Sequence, residues 1–304
     1  MRLITVIMFN KGIYNRPYLL LTFAVFFWSV NFIVGRAVRA DVPPIALAFW
    51  RWAGASFIIS FFAISHVKKD WDLIKKSWLI LIFLAAVGIA SFNTLAYTGL
   101  QLTIAINAFL MQSMMPVMIV MMSFILFQEK IHWFQAAGII ISLAGAMTII
   151  VKGDLTLLSS LSINKGDILI FTAVVSYAGY SVMLRKRPAI HPLSFVFVTF
   201  VSGSLMLLPL YLWETFTGRP ASFNGTTIMA VIYVMIFPSI ISYLCFNRGV
   251  ELAGANKAGL FLYMMPVFGS IMAIIFLGES FCWFHAAGIG LIGSGIMLAT
   301  RRNL

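Results

Sequence analysis

Long uncharged stretches of apolar residues alternate along the chain with short segments that carry its charges. A helix needs about 20 apolar residues to cross the hydrocarbon core of a bilayer, and several stretches reach that length. The pattern predicts an all-α integral membrane protein of ten transmembrane helices. They cover residues 18–36, 45–66, 78–98, 103–127, 132–151, 166–185, 193–213, 226–248, 255–277 and 282–300.

Basic residues are distributed unevenly between the two sides of these ten helices. One side carries Arg2, Lys11, Arg16, Lys68, Lys69, Lys75, Lys76, Lys130, Arg185, Lys186, Arg187, Arg248, Lys257, Arg301 and Arg302. The other side carries only Arg36, Arg39, Lys152, Lys165 and Arg219. Because basic loops stay in the cytoplasm, we expect a multi-pass protein of the inner (plasma) membrane with both termini cytoplasmic.

Composition supports a membrane protein and removes several other classes. The chain of 304 residues is 62% hydrophobic and 10% charged, whereas soluble domains carry roughly 25% charged residues. Its net charge of +12 lies in the loops rather than in one patch, so we expect no nucleic-acid partner. The two cysteines fit no metal spacing. With no phosphate-binding Gly-x-x-x-x-Gly-Lys sequence, we expect neither ATP hydrolysis, nor a cofactor, nor an enzyme.

The second half of the chain repeats the first. At a shift of 150 residues, positions 99–149 contain 20 identities in 51 when compared with 249–299, among them Met114-Met115-Pro116-Val117 on Met264-Met265-Pro266-Val267. A shift of 149 aligns the start of each half less closely. Each half has five predicted helices, an odd number, so the two halves should cross the membrane in opposite senses. Such inverted repeats are typical of secondary transporters.

Several motifs resemble the drug/metabolite transporter superfamily, EamA type. They are Trp28-Ser29-Val30-Asn31-Phe32, Pro43-Pro44, Phe49-Trp50-Arg51-Trp52, Pro116 with Gln128-Glu129, and Pro266 with Gly278-Glu279. The resemblance implies two five-helix domains, here 17–151 and 163–302, around a central cavity. It also implies export or exchange of amino acids, nucleotide-related metabolites, sugars or drugs. The second half departs from the pattern, because Phe200 stands where the first half has Arg51.

Aromatic and amide side chains occur at corresponding central positions of four predicted helices. We assign substrate binding to Trp28 and Asn31, their mates Tyr177 and Tyr180, Asn93 and Tyr97, and their mates Tyr243 and Asn247. Such a lining offers flat faces for stacking and amides for oriented hydrogen bonds. The alternative is that these groups only hold the helices together.

Arg51 is the only charge deep within a predicted helix. It can attract a substrate carboxylate or phosphate, bond helix-end carbonyls, or extend to the membrane interface. The resemblance implies that the second helix is peripheral, so we expect a structural role for Arg51. No carboxylate is predicted at the membrane centre of helices one, three, six or eight, which favours uniport or exchange over proton coupling.

The sequence therefore predicts an exporter or exchanger of small amphipathic metabolites, amino acids first, in a lipid bilayer. A drug or lipid-linked sugar is the alternative substrate, and a non-transporting scaffold or sensor is the alternative of another class. Small residues on helices five and ten, including Gly138, Ser142 and Gly145, predict that these helices pack together. We expect a monomer, with a dimer seam on this stripe as the alternative.

Overall fold

Ten long helical segments, here called α1 to α10, account for most of the computed structural model, which describes residues 11–38, 40–154, 156–159, 163–218, 220–277 and 280–301. Three short helical turns, Lys11–Tyr14, Thr156–Ser159 and Leu184–Lys186, lie outside these segments. Arg2, Arg39, Arg219, Glu279 and Arg302, which enter the sequence analysis, lie outside these ranges. The segments are α1 (Pro17–Ala37), α2 (Pro44–Lys76), α3 (Trp78–Leu102), α4 (Ala105–Ser113 and Met115–Phe127), α5 (Trp133–Ile150), α6 (Lys165–Met183), α7 (Pro192–Thr217), α8 (Gly225–Ala253), α9 (Ala255–Leu260, Phe261–Tyr263 and Met264–Leu277) and α10 (Trp283–Thr300).

Nine helices within the described ranges are long and apolar enough to cross a membrane. The segment that does not qualify is α9, which forms as an α-helical turn, a 3-10 turn and a longer helix. Proline explains the division, because it has no N–H to donate within a helix but is tolerated in a first turn. Pro266 lies in the first turn of the last piece of α9, and Pro116 does the same in α4 after the break at Met114.

The helices α5 and α10 pack as predicted, through glycines that let their backbones approach closely. A Cβ on Gly138 would lie 2.4 Å from the carbonyl oxygen of Gly295, and one on Gly145 would lie 2.8 Å from that of Gly288. The residue numbers of the contacts increase along α5 and decrease along α10, so the two helices are antiparallel. Gly138 and Gly288 are repeat mates, as are Gly145 and Gly295, so the contact is reciprocal between the two halves.

The helices α2 and α7 are also repeat mates, and carboxylates connect them at both ends. Glu214, near the end of α7, accepts hydrogen bonds from the backbone N–H groups of Ile45 (3.2 Å) and Ala46 (2.7 Å) in the first turn of α2. Asp70, near the end of α2, accepts one from the backbone N–H of His191 (2.9 Å), the residue that precedes α7. A carboxylate at a helix N-terminus satisfies free N–H groups and favours the helix dipole.

The surroundings of His191 favour its neutral form. Its ring is stacked on His66 with centroids 3.7 Å apart, and its Nδ1 accepts a hydrogen bond from the backbone N–H of Leu193. An accepting nitrogen carries no proton. Burial, followed by the neighbouring His66, lowers the pKa of His191, and Asp70 raises it by less.

The α5–α10 crossing yields a direct test of the packing. We expect Gly138→Ala to lower the melting temperature of the purified protein by several degrees, because overpacking costs about 1–3 kcal/mol. Gly290→Ala in α10 is the matched control, since a Cβ there meets nothing within 4 Å. Equal melting temperatures for the two variants would show that the helices are not in close contact.

Candidate functional site

Arg51 lies at the centre of the predicted site, although it was not assigned to it. Its side chain is 1% exposed. Nη1 lies 2.9 Å from Asn93 Oδ1, 3.0 Å from the Tyr97 hydroxyl and 3.4 Å from Asn31 Oδ1. Three of the eight predicted site residues therefore surround this guanidinium. The expectation that the second helix is peripheral is wrong at this position, because α2 carries Arg51 into contact with α1 and α3.

The other edge of the same guanidinium faces the second half of the chain. Nε donates to Ser239 Oγ at 2.7 Å, and Nη2 donates to the backbone oxygen of Pro238 at 3.0 Å. Both acceptors belong to α8. Arg51 thus connects the two repeats, with Nη1 held by the first half and the Nε–Nη2 edge covered by the second.

One hydrogen bond recurs in both halves with its donor and acceptor exchanged between helices. In the first half, the Tyr97 hydroxyl of α3 donates to Asn31 Oδ1 of α1 at 3.1 Å. In the second half, the Tyr180 hydroxyl of α6 donates to Asn247 Oδ1 of α8 at 2.9 Å. Asn31 is the mate of Tyr180, and Tyr97 is the mate of Asn247. The repeat has therefore kept the tyrosine–asparagine bond while exchanging which helix carries each residue.

Aromatic rings fill the space between these two hydrogen bonds. The ring of Trp28 contacts Tyr177 and Tyr243 edge-on, with centroids 5.6 and 5.9 Å apart. Tyr177 in turn lies 5.4 Å from Tyr180. These separations are those of favourable aromatic pairs. All eight residues predicted for the site therefore lie in one buried region. Asn31, Asn93 and Tyr97 surround Arg51 at one side, the rings of Trp28, Tyr177 and Tyr243 lie in the middle, and Tyr180 with Asn247 forms the other side.

Two π-helical segments occur at corresponding positions of the repeats, Ala86–Ser91 in α3 and Met235–Ile241 in α8. A π-segment shifts the backbone register and is frequent at functional sites. The carbonyl of Gly88 accepts a hydrogen bond from the Tyr243 hydroxyl at 2.5 Å. The carbonyl of its mate, Pro238, accepts one from Trp28 Nε1 at 2.9 Å as well as the bond from Arg51. Each carbonyl is thus bonded by a side chain of the opposite half.

The predicted central cavity is filled by these side chains in this conformation. The eight predicted residues are between 0% and 8% exposed. Two small cavities lie beside the region, one of about 10 Å³ that includes Asn247 and Arg187, the other of about 20 Å³ between the breaks of α4 and α9. A pocket for a small molecule measures about 300–1,000 Å³. Neither of these cavities, formed by the described residues, has room for a small-molecule substrate in this conformation.

Sequence reasoning missed Ser239, the Pro238 carbonyl and the central place of Arg51. A signal existed for two of them, because Arg51 is the one charge deep in a helix and Pro238 is a mid-helix proline. The mate of Arg51, Phe200, packs on Trp52 with ring centroids 4.6 Å apart. The charge is therefore present in one half only.

These helices and this buried polar region between two repeats define a polytopic α-helical membrane protein. The EamA-like transporter family model matches residues 15–151 and 164–301, so the chain belongs to that family of membrane transporters.

Two similar proteins match this chain over nearly their whole length. The uncharacterized transporter YyaM of Bacillus subtilis is 28% identical over 288 residues, which cover 93% of this chain and 92% of that protein. An uncharacterized transporter of Archaeoglobus fulgidus is 26% identical over 293 residues, 95% of this chain and 99% of that protein. A solved crystal structure of a protein with 17% identity has a TM-score of 0.77 and covers 93% of this chain and 96% of its own, which shows a shared fold.

The hydrogen bond from Arg51 to Ser239 can be tested by removing the acceptor. We expect Ser239→Ala to lower the free energy of unfolding by about 1.5–3 kcal/mol, the range for hydrogen bonds to charged groups. Thermal unfolding in detergent measures the loss. Ser294→Ala is the control, because that exposed serine donates to the carbonyl of Leu291 in its own helix. An unchanged Ser239→Ala would contradict the bond.

Proposed function

We propose that this transporter exports or exchanges small amphipathic metabolites, aromatic amino acids first, by alternating access without ATP hydrolysis. The observation that carries the proposal is the pair of related hydrogen-bonded layers, Asn31–Tyr97 and Tyr180–Asn247, on either side of the Trp28–Tyr177–Tyr243 rings. Aromatic faces suit the apolar part of such a substrate, and amides and hydroxyls suit its polar part.

The bonds between the halves indicate how access would alternate. On one side, Trp28 and Arg51 donate to the π-segment of α8, and on the other, Tyr243 donates to the π-segment of α3. Opening the site toward one face of the membrane requires the first set to break while the second is kept, and opening toward the other face requires the reverse. Rocking of one repeat against the other around a fixed site is the general mode of such transporters.

Transport by purified protein in liposomes tests the substrate class. We expect exchange of labelled phenylalanine or tryptophan against the unlabelled compound, and a loss of at least about tenfold for Trp28→Ala, because that change removes both a central ring and the donor to Pro238. Trp213→Ala is the matched control, since Trp213 is 63% exposed on α7.

The alternatives give different results in the same assay. Transport of cationic drugs or lipid-linked sugars in place of amino acids would assign the protein to the alternative substrate class. Absence of flux for every compound, with correctly folded protein, would favour the scaffold or sensor.

We also propose that both termini are cytoplasmic in the inner (plasma) membrane, from the distribution of basic loops. Reporter fusions after residues 70, 130, 187 and 302 should read cytoplasmic. Fusions near 40, 155, 218 and 279 should read external. Two or more reversed sites would contradict both the orientation and the opposite senses of the two halves.

A further inference from the structure

We infer that the site recognises a single carboxylate group on its substrate, and that the Nε–Nη2 edge of Arg51 is the receptor. The inference rests on the proposed transport function and specifies its substrate class as amphipathic monocarboxylates.

The first step concerns the positive charge of Arg51, which no acidic side chain described in the structure neutralises. Within the described ranges, Arg51 makes no ion pair, and its five acceptors are two amide oxygens, two hydroxyls and one backbone carbonyl. A charge at the centre of a transmembrane helix costs about 2.5–3.5 kcal/mol on the insertion scale. Neutral acceptors satisfy its hydrogen bonds, but they leave its positive charge in place, and that charge attracts an anion.

Four acidic side chains near helix ends are engaged elsewhere. Asp167 accepts hydrogen bonds from Thr103 and Asn107 at the start of α6, and Glu214 caps α2. Glu129 pairs with Arg185, and Glu251 pairs with Arg187 and Arg248. Any of these four carboxylates would have to abandon a partner to pair with Arg51, whereas a substrate would bring its own carboxylate.

The second step is the division of the guanidinium between the two repeats. Asn31, Asn93 and Tyr97 of the first half hold Nη1, while the acceptors of Nε and Nη2 among the described residues are Ser239 and Pro238 of α8. If α8 separates from α2 when the site opens, Nη1 stays held and the Nε–Nη2 edge becomes free. That edge presents two parallel N–H groups, the geometry that binds a carboxylate through both oxygens.

The third step sets the number of charges on the substrate. The repeat mate of Arg51 is Phe200, which is fully buried. Arg187, which lies beside Asn247, is paired with Glu251, so Arg51 is the cation without an acidic partner among the described residues of this region. A single cation matches a monoanion better than a phosphate dianion. The apolar remainder of the substrate would lie on the rings next to Arg51, which include Trp52, 4.6 Å from the guanidinium carbon, and Trp28.

Binding of matched pairs by the full-length protein in detergent tests the inference. The probes are labelled phenylpropanoate and phenylalanine, each compared with its own primary amide, and labelled phenyl phosphate. Equilibrium dialysis gives the dissociation constant of each probe. We expect the wild type to bind phenylpropanoate at least about tenfold more tightly than its amide, since a charge-assisted pair contributes about 1.5–3 kcal/mol.

Variants of Arg51 test whether this residue causes the preference for the carboxylate over the amide. In Arg51→Gln the carboxylate-to-amide ratio should fall to about one, and Arg51→Lys, which keeps the charge without the planar fork, should retain an intermediate ratio. Arg185→Gln is the control, because Arg185 is exposed and pairs only with Glu129 among the acidic residues described. If Arg51→Gln does not fold, Arg51→Lys and the wild-type ratio still decide the question.

Three results would overturn the inference: equal binding or no binding of each carboxylate and its amide by the wild type, tighter binding of phenyl phosphate, or an unchanged preference in Arg51→Gln. Flux of neutral compounds alone would overturn the inference and leave transport standing. Carboxylate binding without flux in liposomes would support the inference and contradict the proposed function.

Discussion

A single cation surrounded by neutral oxygen atoms organises the centre of this molecule. Arg51 is removed from both water and lipid, and five acceptors from α1, α3 and α8 must be brought to it at hydrogen-bond distance. Unsatisfied polar groups are costly in a low-dielectric interior, so the positions of these helices are mutually constrained. The π-segment of α8 is part of the same arrangement, because it places the Pro238 carbonyl and the Ser239 hydroxyl side by side.

The corresponding contact with the π-segment of α3 is made by an uncharged donor. Tyr243 replaces the cation as the donor to a π-segment carbonyl, and the Tyr180–Asn247 bond corresponds to Asn31–Tyr97. The two sides of the site thus have related geometry and different electrostatics. In the proposed transport, a substrate that moved between them would leave the unpaired charge of Arg51 for a side where Arg187 is already paired with Glu251.

The helical architecture was largely predictable, because length and hydropathy are read directly from the sequence. The glycine contact between α5 and α10 was predictable for the same reason, since spacing alone places Gly138, Ser142 and Gly145 on one face. The π-segments were not, because a shift in hydrogen-bond register leaves no mark in composition. The central position of Arg51 was not predictable, because its side chain reaches between helices and its acceptors come from distant parts of the chain. The eight predicted site residues could be located from the sequence because they occupy corresponding positions in the two repeats, and Trp28 and Asn31 also belong to a motif of the family.

The glycine crossing of α5 and α10 has a consequence for how such a chain arises. Gly138 contacts Gly295 and Gly145 contacts Gly288. Because Gly288 and Gly295 are the repeat mates of Gly138 and Gly145, both halves use the same two positions in this contact. Contacts of this reciprocal kind are those of a two-fold symmetric dimer. A single five-helix unit carrying both glycines on its last helix would be self-complementary, and could pair with a second copy inserted the other way up. Joining the two copies into one polypeptide would then free each to diverge, so that one could acquire an arginine where the other has phenylalanine.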